Sequence, residues 1–348
     1  MAERKRDDRN LLVLTHIIRL YVSTAAPVSS KAVVERMGNT VSSATVRNVM
    51  AELEEKGLIE QPHTSAGRIP TDRGYRKYVD HIKERLRTEK RTVEHLAKQY
   101  SECIQTIQEL ISETSMIINK ELRHASLIML PTIGNLYLKK LELIKIRAQN
   151  IMGVLVTVPN VVRNYIITLD RDVDNGELEK VANYINDKCE KREMAGIPSY
   201  LESLIADEEA GEMIKTAATA LEVMRNIVRQ NAENEIFFDG VNFFGQEPEF
   251  GHPEIVRRLL RIVADKKEIA RLMREELPYR GVKIYIGREN HADELMDFSL
   301  ITSGYDLGGN TVGRIGVIGP TRMDYDNALT VIDCLSGLIS SKLEEMNG

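Results

Sequence analysis

One stretch near the N-terminus, from Val41 to Thr71, limits what this 348-residue chain can fold into. Its first half places apolar side chains at the spacing of one helical face. Its second half holds two short apolar runs, Leu58 to Pro62 and Arg68 to Pro70, on either side of a polar turn. We expect Gly67 to take a positive φ in this turn, because glycine adopts that conformation at little cost. A helix followed at once by a hairpin with a basic tip predicts a winged helix-turn-helix.

The two faces of the predicted helix differ, as is typical of a helix that enters a DNA groove. Ser42 or Ser43 can cap its first turn. The face that should be buried is apolar and comprises Val46, Val49, Met50 and Leu53. The opposite side is short, polar and cationic, and its predicted DNA contacts are Ser43, Ala44, Thr45, Arg47 and Asn48. Asn pairs with adenine and Arg with guanine, while Ala and the Thr methyl group suit the methyl group of thymine.

Further helices are expected on both sides of this stretch. Apolar residues from Leu11 to Val22 recur at helical spacing, and Ser29 or Ser30 can cap a second helix that closes at Gly38. Thr71 can cap a helix after the hairpin. The groups predicted to hold DNA phosphates lie on the hairpin and this last helix. They are the backbones of Thr64 and Ser65, the side chains of Arg68, Arg73, Arg76 and Lys77, and His63, for which a cap of the hairpin is the alternative role.

The distribution of charge favours a DNA contact that is confined to one end of the chain. Residues 1–90 carry 17 lysines and arginines against 12 acidic residues, whereas the remainder carries 30 against 40. A basic segment on an acidic body is typical of such a protein. The competing interpretation is a winged helix used as a protein-interaction or scaffold module.

Nothing in the sequence indicates an enzyme, a cofactor or a metal site. Gly313, Gly316 and Gly319 lie inside a strand pattern, so neither phosphate-binding glycine motif fits. None of the seven histidines has metal-ligand spacing to a cysteine or carboxylate. Three isolated cysteines, no secretion signal and no apolar run of membrane length predict a cytoplasmic protein without a membrane segment.

Three N-terminal motifs resemble the heat-inducible transcription repressors of the HrcA family. They are Val41-Ser42-Ser43-Ala44-Thr45-Val46-Arg47-Asn48, Pro62-His63-Thr64-Ser65-Ala66-Gly67-Arg68-Ile69-Pro70-Thr71 and Gly74-Tyr75-Arg76-Lys77-Tyr78-Val79-Asp80. Two C-terminal segments, Ile284 to Asn290 and Gly313 to Tyr325, are also similar to family motifs. The segment Thr24 to Lys31 departs from the family, which tends to have glycines before the proline and before the serine.

After residue 87 the apolar pattern changes twice. Residues from Val93 to Ile117 follow a heptad, which predicts either a long helix that packs along a partner or a linker helix that lies on its own domain. Strand patterns follow up to Leu169, helical patterns occupy 176–276, and strand patterns then resume before a closing helix. The phenylalanine-rich segment Ile236 to Phe244 is either a small buried hairpin or an association surface.

We therefore predict an α+β protein with a winged helix-turn-helix at 1–87, and the resemblance implies the remaining divisions. These are a linker helix and the first part of a GAF-like antiparallel sheet domain at 88–175, an inserted dimerisation domain at 176–276, and the second part of the GAF-like domain at 277–348. The resemblance also implies a homodimeric, nucleoid-associated repressor of chaperone operons. It would bind the inverted repeat called CIRCE in double-stranded DNA, and a GroEL-type chaperonin would modulate it. The alternative is a small-molecule-sensing regulator that uses its GAF-like domain.

Overall fold

A computed structural model describes residues 2–63, 66–84, 90–101, 104, 106–131, 133–158, 160–207, 211–230, 236–264, 267–290, 292–308 and 310–347. It is a mixed fold of helices and antiparallel sheets, as predicted. None of the described helices combines the length and the apolar character that crossing a membrane requires.

The N-terminal unit consists of four helices and a two-stranded antiparallel hairpin. In chain order these are α1 (Ala2–Thr24), α2 (Ser30–Arg36), α3 (Ser43–Glu55), β1 (Ile59–Glu60), β2 (Ile69–Pro70) and α4 (Asp72–Lys83). The hydroxyls of Ser29, Ser42 and Thr71 accept from backbone N–H groups at the starts of α2, α3 and α4, which confirms the predicted caps.

Gly67 does not take a positive φ, contrary to the expectation. The glycine is needed for space instead, because a β-carbon there would lie 2.5 Å from the carbonyl oxygen of Val28. The neighbouring Arg68 forms an antiparallel bridge with Val28, with N–O distances of 2.8 and 2.9 Å. The hairpin is therefore joined to the loop before α2, a long-range contact that its own sequence does not reveal.

The heptad segment does not form one long helix. It gives α5 (Lys90–Ala97) and α6 (Ile107–Leu122), and both pack against the C-terminal helix of the same chain. Thr106 begins α6 with a capping box in which its hydroxyl and the Glu109 carboxylate exchange hydrogen bonds with backbone N–H groups. The hydroxyl of Tyr100, in the turn after α5, lies 2.7 Å from that of Thr114 on α6, so these two heptad positions face one another.

The strands divide into two sheets, and their division differs from the expected domain boundaries. The remaining elements are β3 (Ala125–Met129), β4 (Tyr137–Arg147), β5 (Asn150–Val158), β6 (Val162–Thr168), α7 (Asn175–Cys189), α8 (Ile197–Asp207), α9 (Glu212–Gln230), β7 (Ile236–Asp239), α10 (Pro253–Ala264), α11 (Lys267–Glu275), β8 (Val282–Ile286), β9 (Phe298–Leu307), β10 (Asn310–Pro320) and α12 (Tyr325–Asn347).

One sheet is the centre of what we call the body. Its antiparallel order is β7-β3-β10-β9-β8; α6 and α12 pack on one side, and a core that includes residues of α10 and α11 lies on the other. Gly313, Gly316 and Gly319 all lie in β10, and at Gly313 and Gly316 atoms of the neighbouring strands leave no room for a β-carbon. The segment from Ile236 supplies β7, which pairs with β3, and Phe244, which packs on Phe298.

The other sheet, β4-β5-β6, packs with α7 and α9, and α8 packs on α9. We call this group the inserted unit; it occupies Tyr137–Gln230, between β3 and β7 of the body. The inserted unit thus starts and ends earlier in the chain than the dimerisation insert expected at 176–276. Strands of both sheets have similar apolar patterns, and only long-range pairing assigns each strand to its sheet.

Candidate nucleic-acid interface

Helix α3 exposes the face that was predicted to read bases. Val46, Val49, Met50 and Leu53 are buried, whereas Ala44, Arg47 and Asn48 are exposed and Ser43 and Thr45 are partly exposed. The Thr45 hydroxyl lies 2.8 Å from that of Ser42, so it belongs to the helix cap and leaves the methyl group as its free part. Arg47 Nε donates to the Ser30 hydroxyl of α2 at 3.4 Å, a long hydrogen bond that another acceptor can replace.

The hairpin is held to α3 through Arg68. Its guanidinium donates to the Glu54 carboxylate at 3.0 and 2.8 Å, and its side chain is 24% exposed. His63 is exposed, and its carbonyl accepts from Ala66 N–H at 2.8 Å, which closes the turn. Thr64 and Ser65 lie outside the described residues. Arg68 thus fixes the angle between hairpin and helix, a role that differs from a free phosphate clamp.

The basic side chains of α4 point in two directions. Arg73 and Lys77 are exposed, and no acidic partner meets either of them within the described part of the chain. Arg76, which was predicted to hold a phosphate, contacts the body in this arrangement, and so does Lys83. Arg76 Nε donates to Glu289 at 2.7 Å and its Nη2 donates to the carbonyl of Ile284 at 2.7 Å. Hydrogen bonding to Glu289 raises the pKa of Arg76.

A second set of contacts joins the N-terminal unit to the region around the start of α12. The rings of Tyr75 and Tyr325, both buried, lie 5.5 Å apart. Tyr78 donates to the Asp326 carboxylate, and burial together with that hydrogen bond raises the pKa of Tyr78. Arg322 Nη1 donates to the carbonyl of Val22 at 2.7 Å.

These body residues were not predicted to have a role, although Glu289, Arg322 and Tyr325 lie in the C-terminal segments that resemble family motifs. The motif resemblance marked the segments without indicating what they contact. Within the described residues, no group of three or more His, Cys, Asp or Glu side chains is placed to hold a metal ion. His291, the residue after the first of these segments, lies outside the described residues.

The chain is similar to known proteins over nearly its whole length. The model of the HrcA protein C terminal domain matches residues 108–329. The chain is 36% identical to the heat-inducible transcription repressor HrcA of Geobacter sulfurreducens, over 97% of this chain and 98% of that protein. It is 35% identical to the HrcA of Syntrophobacter fumaroxidans, over 99% of both. A crystal structure of a hypothetical protein shares the fold with a TM-score of 0.66 at 24% identity, over 97% of this chain and 99% of that one.

Proposed function

Because the chain belongs to the HrcA family of heat-inducible transcription repressors, we propose that it represses chaperone operons by binding a CIRCE-type inverted repeat as a homodimer. The observation that carries this proposal is the exposed face of α3, which combines small side chains with one Arg and one Asn. Small side chains let the helix backbone approach the base edges, and the two longer side chains supply hydrogen bonds that distinguish bases. The N-terminal unit would act as a winged helix-turn-helix with α3 in the major groove.

In this proposal the base-reading residues are Ser43, Ala44, Thr45, Arg47 and Asn48. The phosphate contacts come from the flanks of α3: Arg73 and Lys77 on α4, and His63 with the backbones of Thr64 and Ser65 at the hairpin tip. Arg73 and Lys77 are exposed and basic, which suits groups that meet DNA without first losing a carboxylate partner. Arg68 and Arg76 have acidic partners here, so each would contribute to phosphate binding only by exchanging a carboxylate for a phosphate.

The remainder of the chain would dimerise, so that two copies of α3 read the two halves of the repeat. We assign the dimer contact to the inserted unit and a GAF-like role to the body. A GroEL-type chaperonin would help the repressor to regain activity after heat, in the cytoplasm of a bacterium.

The decisive test compares binding to a CIRCE-type inverted repeat with binding to a scrambled duplex of equal length, at a stated salt concentration. We expect at least about a thousandfold preference for the repeat, the lower end of the range for specific DNA-binding proteins. Equal affinity for both duplexes contradicts the proposal and favours a protein-interaction module.

A second candidate function, regulation by a small molecule, has one observation in its favour. A cleft of about 960 Å³ lies between the N-terminal unit and the body. Tyr75 lines this cleft, and its buried hydroxyl has no hydrogen-bond partner among the residues that the structure describes. A ligand there would touch both the DNA-reading unit and the body. Titration with cyclic nucleotides and common metabolites should then raise the melting temperature or change the affinity for the repeat; no change in either removes this candidate.

A further inference from the structure

We infer that the contact between the N-terminal unit and the body selects the spacing of the two DNA half-sites, with Gly287, Arg322 and Asp326 as positioning residues. The inference rests on the proposed function, because it requires two copies of the chain on an inverted repeat. In a dimer of this kind the half-site spacing follows from the distance and angle between the two reading helices. Whatever fixes each N-terminal unit on its body therefore fixes the preferred spacing.

The first contact lies at the start of α4. The Asp72 carboxylate accepts from the backbone N–H of Arg288 at 3.1 Å. Gly287, just before it, has a φ of +52°, and a β-carbon there would lie 2.4 Å from an Asp72 carboxylate oxygen. The left-handed backbone favours glycine, and an added β-carbon would displace the Asp72 carboxylate from this contact. The turn after β8 is shaped to receive α4.

The second contact extends along the same helix. Arg76 is held by Glu289 and by the carbonyl of Ile284, and Glu289 also accepts from the N–H of Ile286 at 2.9 Å, which fixes its position. Further on, Lys83 Nζ donates to the carbonyl of Val282 at 2.8 Å. Asp72 and Lys83 are separated by about 16 Å along the helix axis. Because α4 is held at both of its ends, these contacts oppose its rotation on β8.

The third contact joins α1 and α4 to the start of α12. Asp326 accepts from the Tyr78 hydroxyl, and the same carboxylate lies 3.3 Å from a guanidinium nitrogen of Arg19. The side chain of Arg19 also donates to the Tyr78 hydroxyl, at 3.3 Å. One carboxylate of the body therefore holds one side chain from each of two N-terminal helices.

The fourth contact is Arg322, whose side chain is only 9% exposed. It donates to the carbonyl of Val22, in the last turn of α1, while its other nitrogens lie 2.6 Å from Glu249 and 2.6 Å from Glu247. A cation at the carbonyl end of a helix is favourable, because that end has unpaired acceptors and partial negative charge. The guanidinium therefore ends α1 and ties it to the body at once.

These contacts come from β8, the turn after it, the segment before α12 and α12 itself, so they oppose motion about more than one axis. A unit held only by its covalent linker would capture a second half-site over a range of separations, with a modest local concentration at each. When both N-terminal units are docked as observed, the two α3 helices of the dimer lie at one separation. The gain in affinity from the second half-site is then greatest for one spacer length.

The test uses a loosened variant that carries Gly287→Ala and Asp326→Asn. Its matched control carries Gly308→Ala and Glu202→Gln. Gly308 also has a left-handed backbone, with φ of +58°, but, its chain neighbours apart, no atom of the described residues lies within 4 Å of an added β-carbon. Glu202 pairs with Arg225 at 2.6 Å within the inserted unit, so its substitution removes a comparable ion pair away from the contact.

Each protein is titrated with a single half-site, with the inverted repeat, and with the same repeat after its spacer is lengthened by about 5 base pairs, half a helical turn. We expect the wild type and the control to prefer the native spacer by about a hundredfold, a gain that two-site capture can supply. The loosened variant should keep its half-site affinity within about twofold of the wild type. Its preference for the native spacer should fall about tenfold, from about a hundredfold to about tenfold.

Two results overturn the inference. An unchanged spacer preference in the loosened variant means that these contacts do not set the spacing. A large loss of half-site affinity means that they act within the DNA-reading surface itself. Failure of the proposed function is a different outcome, because the wild type would then show no preference for the inverted repeat over scrambled DNA.

Discussion

At the residue scale, the proposed base-reading face depends on short side chains as much as on hydrogen-bonding ones. Ala44 and Ala51 are exposed on α3 beside Arg47 and Asn48, so the helix can lie close to a groove floor. The sequence predicted the exposure of this face, because helical spacing alone separates it from the buried Val46 side. Which bases it reads is a further question, which substitution can answer.

Arg47→Ala and Asn48→Ala should each cost about 1–3 kcal/mol on the inverted repeat and relax the preference for one base. Lys77→Ala should weaken binding to all duplexes alike and lower the slope of log affinity against log salt by about one, since it is proposed to meet a phosphate. Fluorescence anisotropy at several salt concentrations measures both effects. Equal losses on specific and scrambled DNA would remove Arg47 and Asn48 from the base-reading role.

His124 predicts a measurable dependence of stability on pH. Burial, with the nearby charge of Arg322, lowers the pKa of His124 to about 4. The unfolded chain binds this proton near pH 6.5, so it holds more protons than the folded chain between about pH 4 and 6.5. The free energy of unfolding therefore contains the full contribution of His124 above pH 6.5. This contribution is lost as the pH falls, by up to about 3 kcal/mol at pH 4.

Urea unfolding of the wild type and of His124→Gln, from pH 7 to pH 4, tests this expectation. The variant should lose less free energy of unfolding on acidification, because the group responsible for that part of the slope is gone. Parallel curves for the two proteins would show that His124 does not contribute.

At the element scale, the heptad segment was predicted correctly as helical but was assigned to one long helix, whereas the structure has two. The segment from Val93 to Ile117 supplies residues to two helices, α5 and α6, and both helices contact α12. The capping box at Thr106 was a readable sign of the break. The hairpin shows the opposite case, because its strands were predicted and its attachment to Val28 was not.

Gly67→Ala should destabilise the N-terminal unit by about 1–3 kcal/mol, the usual cost of overpacking. The added carbon would lie 2.5 Å from a backbone oxygen, and the Val28–Arg68 bridge would have to open to accommodate it. Thermal unfolding and affinity for the half-site should both fall. Gly196→Ala is the control, since no atom in the described part of the chain, its neighbours in sequence apart, lies within 4 Å of its added carbon. Equal melting of the two variants would contradict the steric account.

At the scale of the whole molecule, the inserted unit leaves one apolar sheet face exposed. Ile144, Met152 and Ile166 are aligned across β4, β5 and β6, and Ile144 and Ile166 are 46% and 58% exposed. Val162, on the same sheet, is 45% exposed. The proposed dimer requires a self-complementary apolar surface, and a second copy of this face meets that requirement.

Ile166→Glu should therefore shift the protein from dimer to monomer and weaken binding to the inverted repeat, while half-site affinity is kept. Leu260→Glu is the control, because Leu260 is also 58% exposed but lies on α10 of the body. Sedimentation equilibrium gives the oligomeric state. A dimeric Ile166→Glu protein, or dissociation caused by Leu260→Glu instead, would assign the dimer contact to another surface.

The sequence by itself determined the local features of this protein: the helix caps, the buried and exposed faces of α3, most strands, and the family through its hairpin motif. Each depends on residues within a few positions of one another, where periodicity and side-chain chemistry suffice. Only the tertiary structure decided which strands share a sheet, why Gly67 and Gly287 are glycines, and which arginines are paired. Those outcomes depend on contacts between residues as distant as Arg76 and Glu289, and such pairing leaves no pattern in the local sequence.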